Sequence, residues 1–315
     1  MLRTAGITGL GVALPPDAIP SDQIGERLGL TAGWIEKRTG IGSRRRAAKT
    51  LRLRDLAADA ARAALSDAQV DASDIDTVLV ATLSADELTP NAAPQVAHAI
   101  GATGAAAIDI GAACTGFVSG LTVGAALIEA GRAHKVLVIG AEILSRYTDP
   151  DDRPTAGLFG DGAGAVLLAP GSGGPLGRSV LGSDGAAAPF IRASQETRLI
   201  RMDGHETFKR AVRTLVANAV ETVAANELEL DDIDLFVLHQ ANGRILTAVR
   251  EALGVEPERV LDVIAEVGNT SAASIPLALA EARERGLLAD GATVLLGAVG
   301  AGFTWGAVVV EWRNA

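Results

Sequence analysis

Ile108-Asp109-Ile110-Gly111-Ala112-Ala113-Cys114-Thr115-Gly116-Phe117 opens as an apolar, strand-like run and ends in small residues around the single cysteine of the chain. An Ala/Gly/Leu-rich helical run from Val118 to Ala130 follows at once. A strand-to-helix turn here sets Cys114 at a helix N-terminus, where free N–H groups and the helix dipole stabilise an anion. A thiol so placed is expected to have a lowered pKa and to act as a nucleophile near neutral pH. A lone cysteine is otherwise most often a small buried hydrophobe. The stretch alone leaves both roles open.

The chain around it has 315 residues, enough for two compact units or one large duplicated one. Hydrophobic residues make up 48% and aromatics only 3%, so Ala, Val, Leu and Gly must fill the interior. That suits helices packed on parallel sheets. One cysteine excludes an intrachain disulfide and a multi-cysteine metal site, and suits a reducing compartment. A net charge of -10 argues against a general nucleic-acid binder. No apolar run reaches the ~20 residues of a membrane span, and the N-terminus lacks the order of a signal peptide. The expected location is the cytoplasm.

Taken in order, the spacing predicts a first strand within residues 2–14 and a short helix over 21–29. Residues 33–46 read as a basic loop carrying Trp34. A bare charge run is usually a solvated face, but Trp34 with Arg38 and Arg44-Arg45-Arg46 also suits a clamp for a phosphate-bearing ligand with a ring to stack. Helices are expected over 53–68, 91–100, 118–130, 207–227, 243–253 and 272–285. Strands are expected over 77–81, 106–110, 135–140, 160–168, 178–183, 235–238, 293–296 and 307–311. Gly160-Asp161-Gly162-Ala163-Gly164-Ala165 resembles a phosphate cradle but opens a strand, so a close backbone crossing or bulge is the better reading.

The two halves repeat each other. Val70–Val80 and Leu228–Leu238 share Asp-Ile-Asp before a strand, at an offset of 158. The helices 118–130 and 273–285 match at an offset of 155, which pairs Gly131 with Gly286 and lands Cys114 on Asn269. A pseudo-twofold axis would then bring both helix starts to one interface, with His239 at a strand end beside them. His98, His134 and His205 fall on helical or loop surfaces. Each of Cys114, His239 and Asn269 taken singly also fits a structural role; their convergence through the repeat makes a constellation.

Gly111-Ala112-Ala113-Cys114-Thr115-Gly116-Phe117, His239-Gln240-Ala241-Asn242, Gly268-Asn269-Thr270-Ser271-Ala272-Ala273-Ser274 and Gly302-Phe303-Thr304-Trp305-Gly306 stand in order along the chain. Together with Trp34, Arg38-Thr39-Gly40-Ile41 and the 160–165 glycines, they resemble the β-ketoacyl-acyl-carrier-protein synthases III of the thiolase-fold superfamily, over nearly the whole chain. The resemblance implies an α/β fold of two duplicated halves in α-β-α-β-α layers. Residues 1–170 would carry the nucleophile, and 171–315 the histidine and asparagine.

It also implies a chemistry. Cys114 attacks an acyl-CoA and holds the acyl group covalently. The backbone N–H groups of Cys114 and Ala301 bind the oxyanion. Malonyl-acyl carrier protein then loses CO₂, and neutral His239 and Asn269 hydrogen-bond the enolate, which attacks the acyl-cysteine. By resemblance, Trp34, Arg38, Thr39, Arg153, Phe208 and Asn242 bind CoA or substrate, and Lys209 and Arg244 meet the acidic carrier protein. The family is homodimeric, with Thr89 at the position by which the partner caps the acyl pocket and Val299 also at that pocket. A small residue at 89 predicts room for more than acetyl. No metal or redox cofactor is required. Val299 and Ala301 replace the family's frequent Phe and Gly, the 183–204 segment is short, and Glu251 stands where positive charge is expected.

Three rivals remain at this stage. A relative moving an acyl group to an alcohol or amine shares Cys114 and His239 but needs no enolate donor such as Asn269. A papain-type hydrolase has the residue order but not the duplicated α/β pattern. An inactive binding protein has no use for Cys114.

Overall fold

Thr77–Ala81 is apolar on both sides, and all of it is buried. A strand of this kind needs helices over both faces. The computed structural model supplies them, and describes residues 4–171 and 174–313. Strands β1 (Ala5–Ala13), β4 (Thr77–Ala81), β5 (Ala106–Ile110), β6 (Val136–Ile143) and β7 (Asp161–Pro170) form one sheet in the order β1-β7-β6-β4-β5. β4 runs parallel to β5 and β6, and β7 antiparallel to β1 and β6. Strands β8 (Val180–Ser183), β11 (Leu235–Leu238), β12 (Thr293–Gly300) and β13 (Thr304–Glu311) form a second sheet in the order β11-β12-β13-β8. The short strands β2 (Ala18–Pro20) and β3 (Ser43–Arg45) pair as a ribbon, as do β9 (Ile191–Ala193) and β10 (Ile200–Met202).

Five layers result. Helices α3 (Leu53–Asp67) and α4 (Ala92–Ile100) cover the outer face of the first sheet. Helices α5 (Gly116–Glu129) and α9 (Ser274–Glu284) lie between the sheets. Helices α6 (Gly204–Ala225) and α7 (Gly243–Leu253) cover the second sheet. Three short helices, α1 (Ser21–Arg27), α2 (Trp34–Thr39) and α8 (Ile264–Val267), sit among the loops. The central core joins Leu79, Val138 and Val166 of one sheet to Val237, Leu296 and Val308 of the other through Phe117, Leu121, Ile275 and Leu279. Each such side chain, fully buried, contributes roughly 1.5–3 kcal/mol.

The repeated Asp-Ile-Asp has a structural task in both halves. Its isoleucine, Ile75 or Ile233, is buried. Its second aspartate accepts from the chain entering the strand alongside: Asp76 from His134 N and Lys135 N, just before β6, and Asp234 from Thr293 N, which opens β12, at 2.8 Å. The helix starts correct the expected register. Single helical turns at Ala113–Thr115 and Ser271–Ala273 precede α5 and α9, and each opens on a left-handed residue, Ala113 at φ 47° and Ser271 at φ 48°. Ala113 is therefore the mate of Ser271 at an offset of 158, and Cys114 is the mate of Ala272, not of Asn269. The offset of 155 holds only past the helix ends, where Gly131 and Gly286 share left-handed φ values of 68° and 71°. Three residues are missing inside α9, which has 11 against 14 in α5.

Other expectations change as well. The basic stretch 33–46 contains α2 and β3 rather than a plain loop. Arg44 is buried and donates to Ile19 O, Gly157 O and Ser21 Oγ, so it braces loops and cannot clamp a ligand. The 160–165 glycines lie in or beside β7, where Gly160 crosses the Val267 carbonyl and Gly164 crosses Pro276. Residues 2 and 3 of the expected first strand, and Ser172-Gly173 between the halves, lie outside the described residues.

Candidate active site

Four chain segments meet around one cavity of about 750 Å³. The turn after β5 delivers Ala113 and Cys114. The end of β11 delivers His239, Ala241 and Asn242. The turn before α9 delivers Asn269 and Ser271, and the end of β12 delivers Val299, Gly300 and Ala301. These segments are tied to one another. Thr115 Oγ1 contacts Thr304 Oγ1 at 2.9 Å and donates to Ala112 O, fixing the cysteine turn to the start of β13. A Cβ on Gly300 would stand 2.9 Å from the Cys114 nitrogen, so only glycine lets the two backbones approach. Asn269 N donates to Leu158 O, and its Oδ1 accepts from Ser271 N at 3.0 Å. With that oxygen engaged, the amide Nδ2 is the donor end, and it donates to Ala241 O at 3.5 Å.

The electrostatics differ from the expectation at Cys114. Burial pushes its thiol up to about 12, with the nearby Ser271 hydroxyl pulling down and the Glu142 carboxyl adding to the rise. Desolvation is the largest cause of the rise. His239 is 2% exposed, and burial lowers it to about 4, so its imidazole is neutral at physiological pH. His239 Nδ1 is buried without a hydrogen-bond partner among the described residues, and His239 lines the cavity.

The remaining predicted residues fall into two groups. Trp34, Arg38, Thr39, Arg153, Phe208, Asn242 and Arg244 line the same cavity. The guanidinium carbons of Arg38 and Arg153 sit 4.3 and 4.6 Å from the Trp34 ring centroid, and Arg244 lies over Phe208 at 5.8 Å. Asn242 caps α7 by accepting from Arg244 N, and Thr39 donates to Ile35 O. Lys209 is exposed, 3.7 Å from Glu206, and stands outside the cavity lining. Thr89 is exposed and does not line the cavity of its own chain, whereas Leu88 beside it does, at 74% exposed. His205, expected on a surface, stands at the cavity rim. Glu142 was missed outright. The signal was there, a lone acid inside the apolar run Val136–Ile143, but the expected strand stopped at residue 140.

Residues 108–185 and 223–312 match the two family descriptions "3-Oxoacyl-[acyl-carrier-protein (ACP)] synthase III" and its C-terminal part. The chain is 46% identical over 314 residues to β-ketoacyl-[acyl-carrier-protein] synthase III 2 of Streptomyces coelicolor, covering 99% of this chain and 94% of that protein. The chain belongs to the β-ketoacyl-acyl-carrier-protein synthase III family. The crystal structure of the synthase III from Pseudomonas aeruginosa superposes with a TM-score of 0.95 at 42% identity, covering 99% of both chains. A priming β-ketosynthase of a polyketide pathway also superposes at 0.95, with 32% identity over 99% of this chain and 97% of its own. The thiolase fold is thereby established. Among the described residues no group of three or more His, Cys, Asp and Glu is placed to hold a metal, and no helix is long and apolar enough to cross a membrane.

Proposed function

We propose that the chain is a decarboxylative condensing enzyme that joins an acyl-CoA primer to malonyl-acyl carrier protein and starts fatty acid or polyketide synthesis. One observation carries the reading: a sulfur, a neutral imidazole and an amide N–H donor from three segments line one cavity in a synthase III fold. The Cys114 S–H bond breaks as sulfur attacks the thioester carbon, and the thiol proton leaves with CoA. The oxyanion sits against the N–H groups of Cys114 and Ala301. Malonyl thioester then enters and loses CO₂, and His239 with Asn269 hold the enolate oxygen. Two neutral donors favour the enolate without equally favouring the starting carboxylate, which a fixed cation would do. The carbanion attacks the acyl carbon, the bond from that carbon to the Cys114 sulfur breaks, and the released thiolate takes a proton from water to restore the thiol.

The rim suits the handle of CoA. Trp34 offers a ring for adenine, and Arg38 and Arg153 offer charge for phosphates. Thr39, Phe208 and Asn242 line the passage inward, while Lys209 and Arg244 face the carrier protein. The chain works without a metal or redox group, because carbon–carbon bond formation is driven by loss of CO₂. We further infer two duplicated units, 1–170 and 171–315, in a cytoplasmic homodimer. Strand β5 ends its sheet with Ile108 47% exposed, an unpaired edge that a second copy would cover. In that dimer the loop bearing Thr89 reaches the partner's acyl pocket, beside Val299.

The test is the intact mass of the protein after incubation with acyl-CoAs of rising chain length. An acyl adduct that Cys114→Ser removes is expected, with medium chains accepted at least as well as acetyl. No adduct overturns the nucleophile, and a strict preference for acetyl overturns the roomy pocket. Release of CO₂ from malonyl carrier protein separates condensation from transfer to an alcohol or amine.

A further inference from the structure

The segment between β4 and α4 walls the cavity without regular structure: Ala85, Glu87 and Leu88 line it. Among the described residues, 85–90 make no backbone–backbone hydrogen bond, so side chains must hold them. Asp86 is the main fastening. Its side chain is 3% exposed and accepts from Leu53 N at 3.1 Å and Arg54 N at 3.3 Å, in the first turn of α3, and from Arg146 Nη1 at 2.8 Å. Arg52 Nε stands 3.4 Å from the same carboxylate. Arg146 belongs to the turn after β6 and also donates to Leu51 O. Glu87 meets Arg52 and accepts from Gln95 Nε2 of α4 at 3.2 Å. Burial alone would raise the pKa of Asp86, but Arg146, the two amides and Arg52 outweigh it and hold the carboxyl below its ordinary range. Exposure rises along the wall: Leu83 and Ala85 are half-buried, whereas Leu88 is 74% exposed and still lines the cavity.

We propose that Leu88 reads the length of the primer's acyl chain, and that Asp86 is the positioning residue that keeps it in place. An apolar side chain left open to water gains when another apolar group covers it. A two-carbon acyl group on Cys114 ends close to the sulfur. A medium chain runs outward along the wall and covers Leu88. The Asp86 clamp fixes the segment before substrate arrives, so covering Leu88 carries no cost of ordering a loop. Without the clamp the contact can still form, but that ordering must be supplied from it. Loss of the clamp should therefore weaken long primers and spare short ones. The inference rests on Cys114 carrying the acyl chain, as proposed above.

The experiment is the rate of acyl-adduct formation, followed by intact mass, with acetyl-CoA and with octanoyl-CoA. Leu88→Ala should lower the octanoyl rate relative to the acetyl rate by roughly three- to tenfold. Asp86→Asn keeps the shape and removes the charge. It should lower the same ratio, and the double variant should fall no further than Leu88→Ala alone. An unchanged ratio in Leu88→Ala overturns the role of Leu88. Equal slowing with both thioesters in Asp86→Asn, or additive losses in the double variant, overturns the role of Asp86. If Asp86→Asn does not fold, Arg146→Gln opens the same clamp from a partly exposed side chain and is read in the same way. No adduct with either thioester defeats the nucleophile instead, so the two readings fail separately.

Discussion

Gly140 offers a sharp test of how the site is built. It stands in β6 with both backbone edges paired, to β4 on one side and β7 on the other. A Cβ added there would come 2.1 Å from the Ala272 carbonyl oxygen and 2.7 Å from its carbon. Ordinary carbon–oxygen contacts need roughly 1 Å more. The strand is pinned from both sides, so in Gly140→Ala the turn Ser271–Ala273 must give way. That turn continues directly from Asn269, whose Oδ1 it holds through Ser271 N. A displacement of about 1 Å in a positioned group costs about 100-fold in rate. Release of CO₂ from malonyl carrier protein should fall by that factor, while acyl transfer to Cys114 falls far less. Overpacking should also cost about 2 kcal/mol, or a melting temperature lower by about 3 °C for a chain of this length. Unchanged CO₂ release in a folded variant would refute the reasoning. So would loss of acylation alone, because the strain would then lie at the cysteine turn.

Trp34→Ala removes the ring against which both Arg38 and Arg153 stack. KM for acyl-CoA should rise several-fold with kcat nearly constant, since an exposed cation–ring contact is worth about 0.5–1 kcal/mol; steady-state kinetics with varied acyl-CoA checks this. The depression of His239 from 6.5 to about 4 has a definite sign. Its imidazole is neutral above about pH 5, so its share of CO₂ release should be flat there and fall as the imidazolium forms near pH 4. Below pH 6.5 the unfolded chain takes up a proton at this position that the folded chain refuses until about 4. Stability should therefore decline across that window, and less steeply in His239→Gln, as read from urea midpoints.

Strands β4, β5 and β11 and helix α7 were legible from the sequence to the residue, because the strands are short, mostly apolar runs and α7 is an amphipathic stretch stopped at Gly254. The duplication was legible from Asp-Ile-Asp, whose carboxylates do the same work in both halves. Helix α2 was not, since six residues with three charges carry no clear period. Arg44 was misread because nothing local announces the carbonyls, from residues 19 and 157, that make its burial tolerable. The mate of Cys114 was misassigned because the change of offset from 158 to 155 does not say where between the two matched segments the three residues are lost. Glu142 escaped for a related reason: its partners at 82–84 lie some sixty residues upstream. Short-range pattern betrays elements, but a buried charge is explained only by groups that the fold gathers from elsewhere.

The unequal lengths of α5 and α9 show where this architecture tolerates editing. Three residues correspond to about 4.5 Å of helix, a little under one turn. The amino-terminal ends of both helices keep their register with the strands that feed them, and the whole discrepancy is discharged at the far tips. Trimming or extending those tips by similar amounts should leave the chamber undisturbed. The same edit placed ahead of Ala113 or Ser271 would rotate a reactive group out of reach.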